Sequence, residues 1–408
     1  MKMRATIRSK ELQGERWYKG AEIALPTDQN TIEDAMQRAQ VSELDEAAYD
    51  ISMFKGWPDF LKECLLSCGQ KTIQEVNVLA WKASQMDETQ LETLEGAVKL
   101  RMEEDCENPI SMRELINLSY NLDCYDYYHG IVDDRQLGEV CMEGEMLDLL
   151  DGLPDEVLEL IDLQKAGQEM RRMDCGTFTG RGYIFRNHAA FQEVYDGICL
   201  PETVKGHWGS ISLRLASAER MEEEGIWLEL LATEERMRQA LKALGEPGFD
   251  SCCIVETKSC IPALEYQLAG DEDIRKLNEL ARRIQAFPDS RTLVKYKAVL
   301  QYEQCWDLDM ALDLAANLEC YAFDPMILSC GAYAEYVLKE VGINTNDPAF
   351  AQFDFQGYGK RLFEENGFAS TSYGTVARTD EPFRHEYTEG QEVVEPCQDR
   401  RICGMEME

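Results

Sequence analysis

The sequence predicts an α+β protein of two tandem related units, each a small antiparallel sheet with helices plus a helical middle, forming an elongated acidic molecule. Three observations carry that expectation. Short alternating apolar runs are followed by stretches of helical periodicity. The same series of segments occurs twice, in the same order. Finally, 77 Asp and Glu stand against 41 Lys and Arg, a formal net charge of −36 over 408 residues.

The elements follow in chain order. "MRATIRSK" and "ISLRLASA" each read as a strand, with polar turns "ELQGE" and "ERMEEEG" closing hairpins. "AEIALPTDQNTIEDAMQRA" (21–39) lies over "IWLELLATEERMRQALKAL" (226–244). Each gives an alternating strand, then a Thr near a helix start. Ile23 and Leu25 share one strand face, as do Leu228 and Leu230. "TIQEVNVLA" (72–80) lies over "DIRKLNELA" (273–281). There Ile73, Val76, Leu79 and Ala80 form one helical stripe, and Ile274, Leu277, Leu280 and Ala281 another. A second helix follows in each, around 88–104 and 289–303.

"NLDCYDYY" (121–128) and "NLECYAFD" (317–324) then sit near a helix C-terminus. Their Cys and Tyr read as packing residues, and Asp123, Asp126 and Glu319 as surface charge. "ELIDLQKAG" (159–167) lies over "AQFDFQGYG" (351–359), each followed by a Gly- and Thr- or Ser-rich end. The offset between matching segments drifts through 205, 201, 196 and 192, as loop deletions between diverged copies would produce. The expected division is a first unit at 1–186, a linker at 187–207, a second unit at 208–377 and a flexible tail at 378–408.

The totals narrow the function. The chain is too long for one ordinary domain. With 44% hydrophobic residues it can bury real cores. No run approaches 18 apolar residues, so no membrane contact is expected. The basic N-terminus has no apolar run behind it and does not read as a secretory signal. Fifteen cysteines scattered through apolar segments read as reduced thiols in a cytoplasmic protein. The four histidines, His129, His188, His207 and His385, have no ligand-like spacing, and Cys64 and Cys68 read as one helix face rather than a metal site. P-loop, dinucleotide and nucleophile-elbow patterns do not occur in usable context. No cofactor and no enzymatic activity are expected. A basic face for nucleic acid is opposed by the charge.

The acids are concentrated. Residues 101–160 hold 17 Asp or Glu against three Arg, and residues 301–360 hold 10 against two Lys. In "MEGEMLDLLDGLPDEVLEL" (142–160), Met146, Leu149, Leu150, Leu153 and Val157 fall at core-facing helical positions. Glu143, Asp148, Asp151, Asp155 and Glu159 fall on the opposite face. Glu103, Glu104, Asp105, Asp133, Asp134 and Asp324 extend the set. Charge mounted on folded elements can reproduce the spacing of phosphates. B-DNA carries roughly one charge per 1.7 Å, so 36 negatives correspond to about 60 Å of duplex. A solvated acidic surface without a partner is the plainer alternative.

The order of strand hairpin, helix, acidic middle and "NL-acid-CY" resembles the ArdA antirestriction family. So do the segments "LIDLQKAG" and "FDFQGYGKRL". The likeness covers most of both units, as a tandem ArdA-like protein. It implies a DNA mimic, carried on a mobile element, that fills the DNA-binding groove of type I restriction–modification enzymes through the methyltransferase and specificity subunits. It also implies a subunit contact. Phe353, Asp354, Phe355, Tyr358, Gly359 and Arg361 would lie there, and Ile161, Asp162, Leu163 and Gly167 at the matching place in the first unit. The first-unit segment lacks the second aromatic and the Arg, and Phe353 and Phe355 as core residues remain the alternative. Pairing could be between chains, as a homodimer, or within one, as a pseudo-dimer. The rival functions are mimicry aimed at another defence complex or DNA-binding regulator, an acidic assembly scaffold, and an unrecognised hydrolase.

Overall fold

A computed structural model describes residues 2–41, 47–144, 146–147, 154–158, 160–201, 209–220, 225–267, 270–305 and 307–388. The chain divides into two units, Met1–Gly206 and His207–Glu408. Both are mixed α+β and each contains two small antiparallel sheets.

The first unit opens with β1 (Met3–Ser9), β2 (Ala21–Leu25), α1 (Gln29–Arg38) and β3 (Tyr49–Lys55). The sheet order is β2-β1-β3. Alternation puts Ala5, Ile7, Ile23 and Leu25 inside. Then come α2 (Asp59–Ser67), α3 (Ile73–Ser84), α4 (Glu88–Glu104) and α5 (Met112–Tyr120). Three of these helices begin at capping boxes: Thr72 with Glu75, Asp87 with Gln90, and Ser111 with Glu114. β4 (Tyr125–His129), α6 (Asp134–Glu143), α7 (Asp155–Leu158), α8 (Leu163–Asp174), β5 (Thr177–Phe178) and β6 (Gly182–Arg186) complete the unit, with sheet order β4-β6-β5.

The second unit runs β7 (Ile211–Ser217), β8 (Ile226–Leu230), α9 (Glu234–Leu244), β9 (Cys252–Ser259), α10 (Pro262–Gln267), α11 (Ile274–Gln285), α12 (Ser290–Tyr302) and α13 (Leu308–Ala316). β10 (Tyr321–Asp324), α14 (Cys330–Glu340), α15 (Phe355–Asn366), β11 (Phe368–Thr371) and β12 (Gly374–Arg378) follow. Its sheets are ordered β8-β7-β9 and β10-β12-β11. The helical stripes read from sequence are buried in both units, from Ile73 to Ala80 and from Ile274 to Ala281. The third strands β3 and β9 were not foreseen.

Two hydrogen-bond clamps recur. Asn77 on α3 exchanges bonds with the Thr27 backbone at 2.8 Å each way, and Asn278 on α11 exchanges them with the Ala232 backbone at 2.7 and 3.0 Å. In the second clamp, Asn121 donates to Gln192 O and accepts from Gln192 N, while Asn317 treats Arg384 identically. These two are the leading Asn residues of "NLDCYDYY" and "NLECYAFD". Beside them, Cys124, Tyr125, Cys320 and Tyr321 are buried.

That second clamp corrects two expectations. Residues 187–201 are not a free linker: Tyr195 is buried in the first unit's core, and its backbone is held by Asn117. Residues 379–388 are not a loose tail: the buried Asp313 accepts from the N–H groups of Glu386, Tyr387 and Thr388. Residues 389–408 lie outside the described residues. A third correction concerns 142–160. α6 ends at Glu143, α7 is a single turn, and Val157 is 42% exposed rather than core-facing. Gly144 caps α6, and Pro154 sets the start of α7, where its ring is tolerated but could not continue a helix.

Candidate acidic interface

The acids fall into three groups. Asp123 and Asp126 flank the buried Cys124 and Tyr125 on an exposed edge, and Glu319 holds the corresponding place before Cys320. Asp324 ends β10 and Glu143 ends α6, both exposed. Among the described residues, none of these five makes an ion pair. Asp126 accepts from the Asn187 side chain at 3.1 Å, and Asp324 from the Met326 N–H at 2.9 Å.

The second group is neutralised. Asp134 is largely buried and forms a two-point bond with Arg171, at 2.8 and 3.2 Å. Glu104 pairs with Arg186 at 2.9 Å and Asp105 with Arg101 at 3.6 Å. Glu103 lies 4.0 Å from Lys99 and accepts the Thr177 hydroxyl. Such acids present less field to a partner than a count of carboxylates implies, which corrects Asp134 most clearly. Asp133 is exposed but caps α6 through the Gln136 N–H. The third group cannot be placed: Asp148, Asp151 and Glu159 lie outside the described residues, as does the Asp155 side chain.

The residues expected at a subunit contact split by burial. Phe355 is 1% exposed and packs at the start of α15, whereas Phe353 is 37% exposed. Their rings meet edge to face at 4.8 Å. Asp354 caps α15 and Asp162 caps α8. Tyr358 is half-buried with Arg361 over its ring at 5.7 Å. Gly359 lets α15 approach α14, because a Cβ there would strike the Cys330 carbonyl. Gly167 lets α8 approach α6 in the same way, against the Asp134 carbonyl. These glycines and Phe355 therefore serve packing within a unit. Ile161 and Leu163 are half-buried in the first unit.

Several residues were missed by sequence reasoning. Asn117, Asn121, Asp313 and Asn317 organise the clamps, and only the repeated Asn carried a signal. Glu92 is 6% exposed and receives Tyr127 at 2.9 Å, Arg181 at 2.8 Å and His129 at 3.2 Å. Burial pushes the Glu92 carboxyl up, but those donors outweigh it and hold it below the usual range. Burial, helped by the nearby charges of Glu63 and Asp174, pushes the thiols of Cys64 and Cys141 up to about 11, so they are protonated packing groups at neutral pH.

Among the described residues, no cluster of three or more His, Cys, Asp or Glu is placed to hold a metal ion. Nor is any helix among them long and apolar enough to cross a membrane. Compared with models of protein families, the chain matches none, and compared with curated proteins it has no match.

Proposed function

We propose that the chain is a non-enzymatic DNA mimic, cytoplasmic and free of cofactors, that occupies the DNA-binding groove of a type I restriction–modification enzyme. On this reading the two units are diverged copies of one ArdA-like module, and each presents acidic surface to the partner. The partner is the methyltransferase and specificity assembly, not nucleic acid.

The observation that supports it most is the mounting of unpaired acids at equivalent, well-supported positions in both units. Asp123 and Glu319 each follow a buried Asn clamp and precede a buried Cys-Tyr pair. A carboxylate held this way keeps its spacing, as a phosphate does. Against a basic groove it would steer association and release the groove's counter-ions. The shared sheet orders and clamps support the duplication.

A second element concerns self-association. Tyr336 on α14, and Val341 and Phe353 between α14 and α15, are exposed at 53%, 68% and 37%. Apolar surface of this kind supports a contact with a second copy there. The competition experiment tests the main proposal. Purified methyltransferase should bind either the chain or a duplex carrying its recognition site, never both. A ternary complex would reject the mimicry and favour the scaffold.

A further inference from the structure

One feature of the first unit plays no part in an acidic mimic. A cleft of about 570 Å³ opens beside the Asn clamp. Its lining includes Tyr125, Arg101, Arg113, Arg186, Leu118 and Phe191. Three guanidinium groups thus converge on one hollow of a strongly acidic chain.

We propose that this cleft binds a small organic carboxylate with an apolar or aromatic body, its carboxylate seated between the Tyr125 hydroxyl and the Arg186 guanidinium. Tyr125 is 6% exposed, and its hydroxyl is buried without a hydrogen-bond acceptor. Buried donors in folded proteins are normally satisfied, so this one marks a place for an acceptor.

The second unit shows which acceptor fits. Tyr125 pairs with Arg186 across β4 and β6, and Tyr321 pairs with Arg378 across β10 and β12. In the second unit Glu303 fills the space between them: one oxygen accepts from the Tyr321 hydroxyl and from Arg378 Nε, each at 2.7 Å. Glu303 is the residue capping α12. In the first unit Arg186 is bound by the half-exposed Glu104 at 2.9 Å, and Glu104 makes no hydrogen bond to the Tyr125 hydroxyl. The pair recurs, but the carboxylate beside it bonds only the arginine and leaves the Tyr125 hydroxyl without an acceptor.

Charge and shape agree with that reading. Arg101 is bound by Glu114 at 2.6 Å, and Arg113 is bound by Glu193. A guanidinium has five donors, so one carboxylate does not exhaust it. Phe191, 50% exposed, and Leu118 supply the apolar wall. The volume lies within the range of small-molecule sites.

The test uses the full chain and ligand-observed NMR titration. The probes are naphthalene-2-carboxylate and its neutral analogue naphthalene-2-methanol. The carboxylate should bind at least about tenfold more tightly than the alcohol, the difference expected for a charge-assisted bond. Tyr125→Phe should remove most of that preference, and Tyr321→Phe should leave it unchanged. The free Tyr125→Phe protein should melt no lower than wild type, because no acceptor loses a partner. Arg186→Gln provides a second variant with the same expected loss. No binding of the carboxylate at millimolar concentration, equal binding of both probes, or a preference that survives both Tyr125→Phe and Arg186→Gln would overturn the site.

Discussion

Asn317 and Arg384 are joined in both directions. The Asn317 amide donates to the Arg384 carbonyl at 2.8 Å, and its oxygen accepts the Arg384 N–H at 2.8 Å. The same amide also donates to the Asp313 carbonyl at 2.7 Å. One fully buried side chain thus closes the second unit with a segment 67 residues further on.

Asn317→Ala should destabilise the second unit by about 2–3 kcal/mol, because it strands three backbone groups, the Asp313 carbonyl among them fully buried. Amide exchange at residues 384–388 should accelerate before the rest of the unit does. Denaturant unfolding and hydrogen exchange check this. Unchanged protection at 384–388 would show that Asp313 alone holds the segment.

Asp313 makes the clamp pH-dependent. Burial pushes its carboxyl up, but the Thr388 hydroxyl and the N–H groups of Tyr387, Glu386 and Thr388 outweigh this and hold it low. The folded pKa therefore lies below the unfolded value of about 3.9. Its contribution is complete above that value and is lost as pH falls through the folded one. Asp313→Asn should lower the melting temperature at pH 7 and flatten its decline in acid. The first unit carries Asn117 at the matching place, where it accepts two N–H groups and donates to the Tyr195 carbonyl. Asn117→Asp should not reproduce the wild-type gain, since that carbonyl would lose its donor.

The helix contact at Gly359 leaves no room for a methyl group. Gly359→Ala should cost about 1–3 kcal/mol through displacement of α14. Gly14→Ala, where nothing lies within 4 Å of the added carbon, should stay within about 0.5 kcal/mol of wild type. Thermal melts of the two variants check this. Equal stability would mean that α14 and α15 can slide apart without loss.

Much of the fold was legible because periodicity reports burial directly. The stripes at Ile73–Ala80 and Ile274–Ala281, and the faces of Ile23, Leu25, Leu228 and Leu230, follow from that alone. β3 was not legible, because "YDISMFK" mixes exposed and buried positions around a positive φ at Met53. The acidic surface was only partly legible. Composition counts carboxylates, but it cannot tell Asp134, locked to Arg171, from Asp123, which faces water. The clamps were hidden for a different reason. A side chain that ties backbone 46 to 78 residues away leaves no local pattern.

The central claim is that unpaired carboxylates stand in for phosphates. The most direct measurement is the affinity of the chain for a purified type I methyltransferase at about four salt concentrations. Wild type is compared with a variant neutralised at Glu95, Glu107, Asp123 and Glu143, which are exposed and make no ion pair among the described residues. The account predicts a steep, linear fall of log affinity with log salt, parallel to that of duplex DNA. It predicts a shallower slope for the variant, with each single neutralisation costing about 1 kcal/mol or less. Binding that ignores salt, or a variant whose slope matches wild type, would contradict it.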